Sequence, residues 1–302
     1  MPFAAALESV PSMVSITALL SRASEHVGSL VELSVVPLVL AALSLDKFRR
    51  VAASTADFRV GISFGLPSTV GTAWDFLSLP SASPGVNLPT QRPETTVLVM
   101  VAVAVFSALL GAGYLGSIRR ELAGLDRAFL ADARTYFGPF LGFELIRLVL
   151  VLAGVGAALV AVPLAVLPVV ALFVFGYLFY ATPYLVVVEG LDLPVALRRS
   201  YGYATDGGEY ATFFVQYLLA AGAVSVAATP LFTTSVAGAA VGTVVLAPVA
   251  LLFNTATMLF VRDLTGASDR STAGESGDPG TGPRGTDADA AGAGQSNMPV
   301  ET

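Results

Sequence analysis

The apolar residues of this chain gather into long uninterrupted runs, and the run lengths set the first expectation. A helix needs about 20 mostly apolar residues to cross a bilayer. The run at 96–116 carries no charge. From Leu148 to Val188 the chain is uncharged for 41 residues, about twice one span. Pro163 and Pro168 mark a turn within it, which predicts a helical hairpin with spans near 143–162 and 166–188. Two further spans are predicted near 211–232 and 236–260, the latter with Pro248 as a kink. The first span, near 27–45, is interrupted by Glu32, several serines and Pro37. The expected fold class is therefore all-α, a polytopic membrane bundle of about six helices in residues 1–263.

Other segments have a different pattern. Ile118, Leu122, Leu125, Phe129, Ala133 and Tyr136 recur at helical spacing among charged residues, which predicts an amphipathic surface helix between the second and third spans. A shorter one is predicted after the fourth span, with Asp192 as N-cap and Pro194 in the first turn, leading into Val195–Ser200. Phe3 to Leu20 is a third such segment. In the stretch 51–95, Phe58, Val60, Ile62, Phe64 and Leu66 alternate with Arg59, Gly61, Ser63 and Gly65, a strand period, before five prolines. That stretch is expected to be an ordered extracellular loop with short strands and with Trp74 at the interface. Residues 264–302 hold Gly, Ser, Thr, Ala and Asp with almost no large apolar residue, so an acidic disordered tail is expected.

Composition agrees with a bilayer as solvent. Hydrophobic residues make up 55% and charged residues 13% of the chain, with a mean hydropathy of +0.75. Soluble domains carry roughly 25% charged residues. The absence of cysteine excludes disulfides, thiolate metal sites and a cysteine nucleophile, and the single histidine, His26, argues against a Ser-His-Asp hydrolase. Met1 to Val14 contain Glu8 and no basic residue, so no secretory signal is expected. Net charge is −6, and Lys47 is the only lysine among 16 basic residues. Arginine in place of lysine, with acidic polar segments, points to a halophilic archaeon, whose high salt screens carboxylate repulsion.

Basic residues favour the cytoplasmic side. With the N-terminus inside and six spans, eleven fall inside and Lys47, Arg49, Arg50, Arg59 and Arg92 fall outside, so both termini are expected in the cytoplasm. The cluster Lys47, Arg49, Arg50 argues the other way. It would be satisfied by an N-terminus outside, with residues 60–80 forming a poor extra span or a re-entrant segment.

Ionisable residues at membrane depth are costly and mark candidate sites. Glu32, five residues into the first span, reads either as a proton or cation ligand facing the bundle, or as a carboxylate near the interface or one paired with a neighbour. Glu144 and Arg147 stand three apart and can pair on one helix face; the expectation is a structural ion pair at the cytoplasmic rim. Arg119-Arg120 and Arg198-Arg199 could bind lipid headgroups or an anionic partner, or act only as topology determinants. Gln216 and Asn254 read as interhelical hydrogen-bonding groups. Gly111-Ala-Gly113, Gly154-Val-Gly156 and Gly238 read as close-packing positions. Phosphate-loop and dinucleotide fingerprints are absent, and no cofactor, metal or nucleic-acid partner is implied.

The stretch Tyr180-Ala-Thr-Pro-Tyr-Leu-Val-Val-Val-Glu-Gly190, with Leu193-Pro-Val-Ala-Leu-Arg-Arg-Ser200 and Gly113-Tyr-Leu-Gly-Ser117, resembles uncharacterised polytopic membrane proteins of haloarchaea. These look related to the membrane domain attached to some glycerophosphodiester phosphodiesterases. The resemblance implies a six-helix module with surface helices after the second and fourth spans. It transfers no catalytic residue, because the phosphodiesterase chemistry belongs to a separate soluble domain. The expectation is a non-enzymatic membrane module that organises lipids or a membrane or cytoplasmic protein partner; the alternative is a small transporter or permease.

Overall fold

The computed structural model describes residues 15–53, 61–79, 93–160 and 166–275. Its elements are α1 (Ile16–Leu30), a 3-10 turn at Val31–Ser34, α2 (Val35–Leu43), α3 (Leu45–Ala52), a second 3-10 turn at Ala73–Phe76, α4 (Pro93–Leu122), α5 (Phe129–Val160), α6 (Val166–Phe179), α7 (Thr182–Glu189), α8 (Leu193–Asp206), α9 (Gly208–Phe232) and α10 (Val236–Glu275). Six helical stretches are long and apolar enough to cross a membrane: 16–43, 97–122, 129–157, 166–189, 208–232 and 236–266. The protein is a multi-pass all-α membrane bundle. Large apolar side chains on its outside, among them Leu98, Val149, Val169, Leu219 and Leu231, are exposed as a lipid-facing surface requires.

The chain forms two compact units, divided after Leu264. Of the second, residues 265–302, the described part is the end of α10, which stays helical to Glu275. That helical end occupies the first residues of the segment expected to be a tail. The rest of that expectation lies outside the described residues, as do Phe3 to Val14.

The first span is not one straight helix. The expected run 27–45 is broken by the 3-10 turn that carries Glu32. The helix before it, α1, is amphipathic, burying Ile16, Leu19, Ala23 and Leu30 and exposing Ser21, Arg22, Ser24 and Glu25. Two contacts from α1 and one from the 3-10 turn tie this region along the bundle. The Ile16 N–H donates to Gln216 Oε1 of α9 at 2.7 Å. Arg22 pairs with Asp263 of α10 at 2.6 Å, and Glu32 pairs with Arg127 beside α5 at 3.4 Å.

No separate surface helix forms over 118–136, which corrects that expectation. Its first turn is the end of α4 and its last two turns are the start of α5. Between them Gly124 adopts φ 67, and the Gly124 and Leu125 N–H groups donate to the Glu121 and Arg120 carbonyls. That pair of bonds around a left-handed glycine is a Schellman stop, which ends a helix however amphipathic the sequence beyond it. The α4–α5 hairpin packs tightly at small residues. A Cβ on Gly113 would meet the Phe129 ring at 2.7 Å, and one on Gly116 would meet Asp132 at 2.4 Å.

The helix after the fourth span forms where expected. Asp192 occupies the N-cap position of α8, Pro194 lies in its first turn, and the helix runs on to Asp206. The fourth span breaks at Tyr180–Ala181 into α6 and α7, with Pro183 in the first turn of α7.

Residues 61–79 depart most from expectation. Among the described residues they form no strand, and they do not lie outside the bundle. The segment folds into it as an irregular hairpin. Its two ends meet, since a Cβ on Gly61 would touch Ser78 Oγ at 2.3 Å; further in, one on Gly65 would touch the Asp75 carbonyl at 2.7 Å. The Ser78 N–H donates to Thr229 Oγ1, three residues from the end of α9. The Ser63 N–H donates to Ser225 Oγ, one turn deeper. The Gly71 N–H reaches Asn254, eighteen residues along α10 from Val236. At 1.5 Å per residue that is about 27 Å from the start of the helix. Helix glycines make room for the segment: Gly222 faces Phe64, Gly176 faces Leu66 and Gly111 faces Thr69. The segment thus enters the bundle and returns, a re-entrant course, and it holds no strand among the described residues where short strands are expected.

Candidate functional site

Irregular backbone at membrane depth is stable only where protein groups satisfy it. At the tip of the re-entrant segment that role falls to Asn254 and Tyr184. Asn254 Nδ2 donates to the Ser68 and Thr69 carbonyls at 3.1 and 3.0 Å. Its Oδ1 accepts the Gly71 N–H at 3.0 Å. Tyr184 of α7 donates its hydroxyl to the Ser68 carbonyl at 2.9 Å. One asparagine and one tyrosine, both with almost no exposure, therefore hold four main-chain hydrogen bonds of the tip.

The returning limb is fixed by its own turn. Asp75 accepts from the Thr72 N–H at 2.7 Å and from the Thr72 hydroxyl at 3.3 Å, a capping box on the 3-10 turn. Trp74 is buried, not interfacial as expected: its indole N–H donates to the Ala41 carbonyl of α2 at 2.9 Å, and Phe48 lies edge-on against the ring.

An open cavity of ≈ 680 Å³ lies between this segment, α2, α4 and α5. Its polar lining is Ser44, Ser68, Thr69, Thr72, Asp75, Ser107, Glu144 and Arg147, and its apolar lining includes Leu40, Val99, Val103 and Phe106. A smaller cavity of ≈ 190 Å³ lies beside it between the segment, α5 and α6. Ser68, Thr69 and Arg147 border both.

Glu144 and Arg147 pair at 3.2 Å, as their spacing predicts. They lie in the middle of a helix rather than at its end. The third membrane helix begins at Phe129, fourteen residues before the expected start, so Glu144 is fifteen residues from one end of the 129–157 stretch and thirteen from the other. The Glu144 side chain is 5% exposed, whereas Arg147 is 49% exposed. Both residues line the cavity, the guanidinium half exposed and the carboxylate buried. Two hydroxyls of the re-entrant tip, Ser68 Oγ and Thr69 Oγ1, are buried without a hydrogen-bond partner among the described residues.

The other sequence candidates lie elsewhere. Glu32 does not face the bundle interior. Its side chain is 79% exposed and engaged with Arg127, the paired-carboxylate reading. Arg120 Nε contacts both oxygens of buried Asp132 at 2.9 Å, which joins the end of α4 to the start of α5. Arg199 pairs with Glu189 and donates to the Tyr203 hydroxyl, which joins α8 to α7. Arg119 and Arg198 form no ion pair among the described residues. Each arginine doublet is thus split between one structural member and one not engaged in an ion pair.

Sequence reasoning assigned Asn254 and Gln216 to hydrogen bonding, and both do it, Asn254 to the re-entrant segment and Gln216 to the start of α1. It missed Asp75, Ser68, Thr69 and Tyr184. A signal was present: Ser225 and Thr229 are one turn apart in the apolar second half of α9, and both accept main-chain N–H groups from the missed segment. No family model, curated protein or solved structure matches the chain.

Proposed function

We propose that this membrane protein is a small solute transporter in which the larger cavity is the solute site and residues 61–79 close its path. The observation that supports this most is the Glu144–Arg147 pair. It sits mid-helix, borders a cavity of ligand size, and faces a segment whose irregular backbone is held at membrane depth. Broken helices and unwound segments near the bilayer middle are how many transporters expose polar groups to a solute. The reading is not enzymatic: the residues that line the cavity have the character of a binding site. We place the N-terminus and the α10 end in the cytoplasm, on the excess of arginine at the ends joined by Arg22–Asp263 and Glu32–Arg127.

The relation to haloarchaeal membrane proteins and to phosphodiesterase membrane domains stays part of this proposal, supported by the motifs at 113–117 and 180–200. The test is flux. Proteoliposomes holding the full chain should take up at least one member of a panel of ions and small metabolites. Asp75→Asn should abolish that uptake while leaving the protein folded, and Arg147→Gln should abolish it at a cost in stability. Flux in neither the parent nor the variants, across the whole panel, would sink the reading.

A second reading, a module that organises lipids or a protein partner, is favoured by one observation: Arg119 and Arg198 are not committed to ion pairs. Loss of anionic-lipid binding in the Arg119→Ala, Arg198→Ala double variant, with no flux in the parent, would favour it.

A further inference from the structure

We infer that the larger cavity takes a monovalent organic cation with an apolar body, its charge held at Asp75. This rests on the reading of that cavity as a solute site and names the class of solute. The volume, ≈ 680 Å³, suits a molecule of drug size. Among the described residues no three His, Asp or Glu side chains gather as a metal site would need. The wall toward α4 is hydrocarbon and aromatic: Val99, Val103 and Phe106, each also exposed on the outside of the bundle. An apolar body fits there, entering from the lipid side, and the Phe106 ring face favours a cation.

The charges decide the sign. Two carboxylates and one guanidinium line the cavity. Glu144 and Arg147 neutralise each other. Asp75 is held by the Thr72 N–H and hydroxyl alone and makes no ion pair among the described residues. Arg147 and Lys47 act on it only through space, so an anion would meet a carboxylate without an ion-pair partner among the described residues, whereas a cation supplies the direct counter-charge that a carboxylate at membrane depth needs. Thr69, which lines the same cavity and is 6% exposed, keeps a hydroxyl oxygen without a partner among the described residues that can accept from an N–H of the ligand or orient toward its charge.

Tetraphenylphosphonium and tetraphenylborate have one shape and opposite charge, so they test the sign directly. Binding to the full chain in nanodiscs is measured by equilibrium dialysis, with protein-free nanodiscs subtracted. Fluorescence of Trp74, the single tryptophan and the neighbour of Asp75, gives a second readout. The phosphonium should bind saturably and the borate should not. Asp75→Asn keeps an oxygen for the Thr72 N–H and removes the charge, so it should weaken phosphonium binding by about tenfold or more. Saturable borate binding, no saturable phosphonium binding, or unchanged affinity in the variant would each overturn the inference. The parent comparison needs no variant to fold. Borate binding alone would leave the transporter reading intact with the opposite substrate, while phosphonium binding without flux would remove the transporter reading and keep the site.

Discussion

Asn254 Oδ1 accepts the Gly71 N–H at 3.0 Å, and the amide thereby joins the middle of the last membrane helix to the tip of a segment 183 residues earlier in the chain. The same side chain donates to the carbonyls of Ser68 and Thr69, so a single buried residue satisfies three main-chain groups. A Cβ on Gly71 would come within 2.8 Å of that oxygen, so the contact also requires glycine.

Asn254→Ala should therefore destabilise the protein by about 1–3 kcal/mol, the range for stranding buried polar groups. Interhelical hydrogen bonds in bilayers average nearer ~0.6 kcal/mol each, so the lower half of that range is the firmer expectation. Gly71→Ala should act in the same direction. Chemical unfolding in a bilayer mimetic measures both; a fully stable Asn254→Ala variant would mean that the tip is held by something else.

The Glu144–Arg147 pair predicts an asymmetry. Removing Arg147 strands a carboxylate that is 5% exposed, whereas removing Glu144 leaves a guanidinium that is 49% exposed and can be hydrated from the cavity. Arg147→Gln should be the more destabilising single change. The double variant should recover part of the loss, with a coupling of about 0.5–3 kcal/mol in a double-mutant cycle. Equal single effects with no coupling would show that the pair is not formed.

How much of this was legible in the sequence depends on the length of the signal. The long apolar runs at 96–116, 166–188, 211–232 and 236–260 announced their helices, because bilayer thickness fixes a length that few other structures share. Boundaries failed where charge was taken as the edge of a span. Arg119, Arg120 and Asp132 sit inside continuous helices because Arg120 and Asp132 neutralise each other across the hairpin, a contact twelve residues apart that no periodicity reveals. The cavity was hidden for a related reason. Half of its polar lining comes from residues 61–79, whose alternation imitates a strand. That alternation arises because Phe64 and Leu66 pack on helix glycines while Ser63 donates to Ser225. Its meaning depends on partners up to 186 residues away.

Two glycines separate packing from propensity. Gly116→Ala places a Cβ 2.4 Å from that of Asp132, in the tightest part of the α4–α5 hairpin, and should cost about 1–3 kcal/mol through overpacking. Gly138, inside α5, has nothing within 4 Å of an added Cβ. Gly138→Ala should be neutral or stabilise by about 0.4–1 kcal/mol through the unfolded chain. Thermal denaturation of the two variants beside the parent checks the contrast, and a Gly116→Ala variant as stable as the parent would contradict the hairpin geometry.

The course of residues 61–79 has a consequence for sidedness. A segment that crosses the membrane puts its flanks on opposite sides, whereas one that enters and returns puts them on the same side. The chain has no cysteine, so single cysteines label without background. Cysteines replacing Ser54 and Ser83 should react from the same side with a membrane-impermeant maleimide, the outside in the proposed orientation. A cysteine replacing Tyr201, an exposed position on α8, should react only from the other side. Ser200, one residue earlier, is unsuitable because it is fully buried and donates to the Leu178 carbonyl. A cysteine replacing Ser68, whose hydroxyl is buried at the tip, should resist the reagent from both sides. Opposite labelling of Ser54 and Ser83 would turn the segment into a seventh crossing, and the close approach of Gly61 to Ser78 could not then hold.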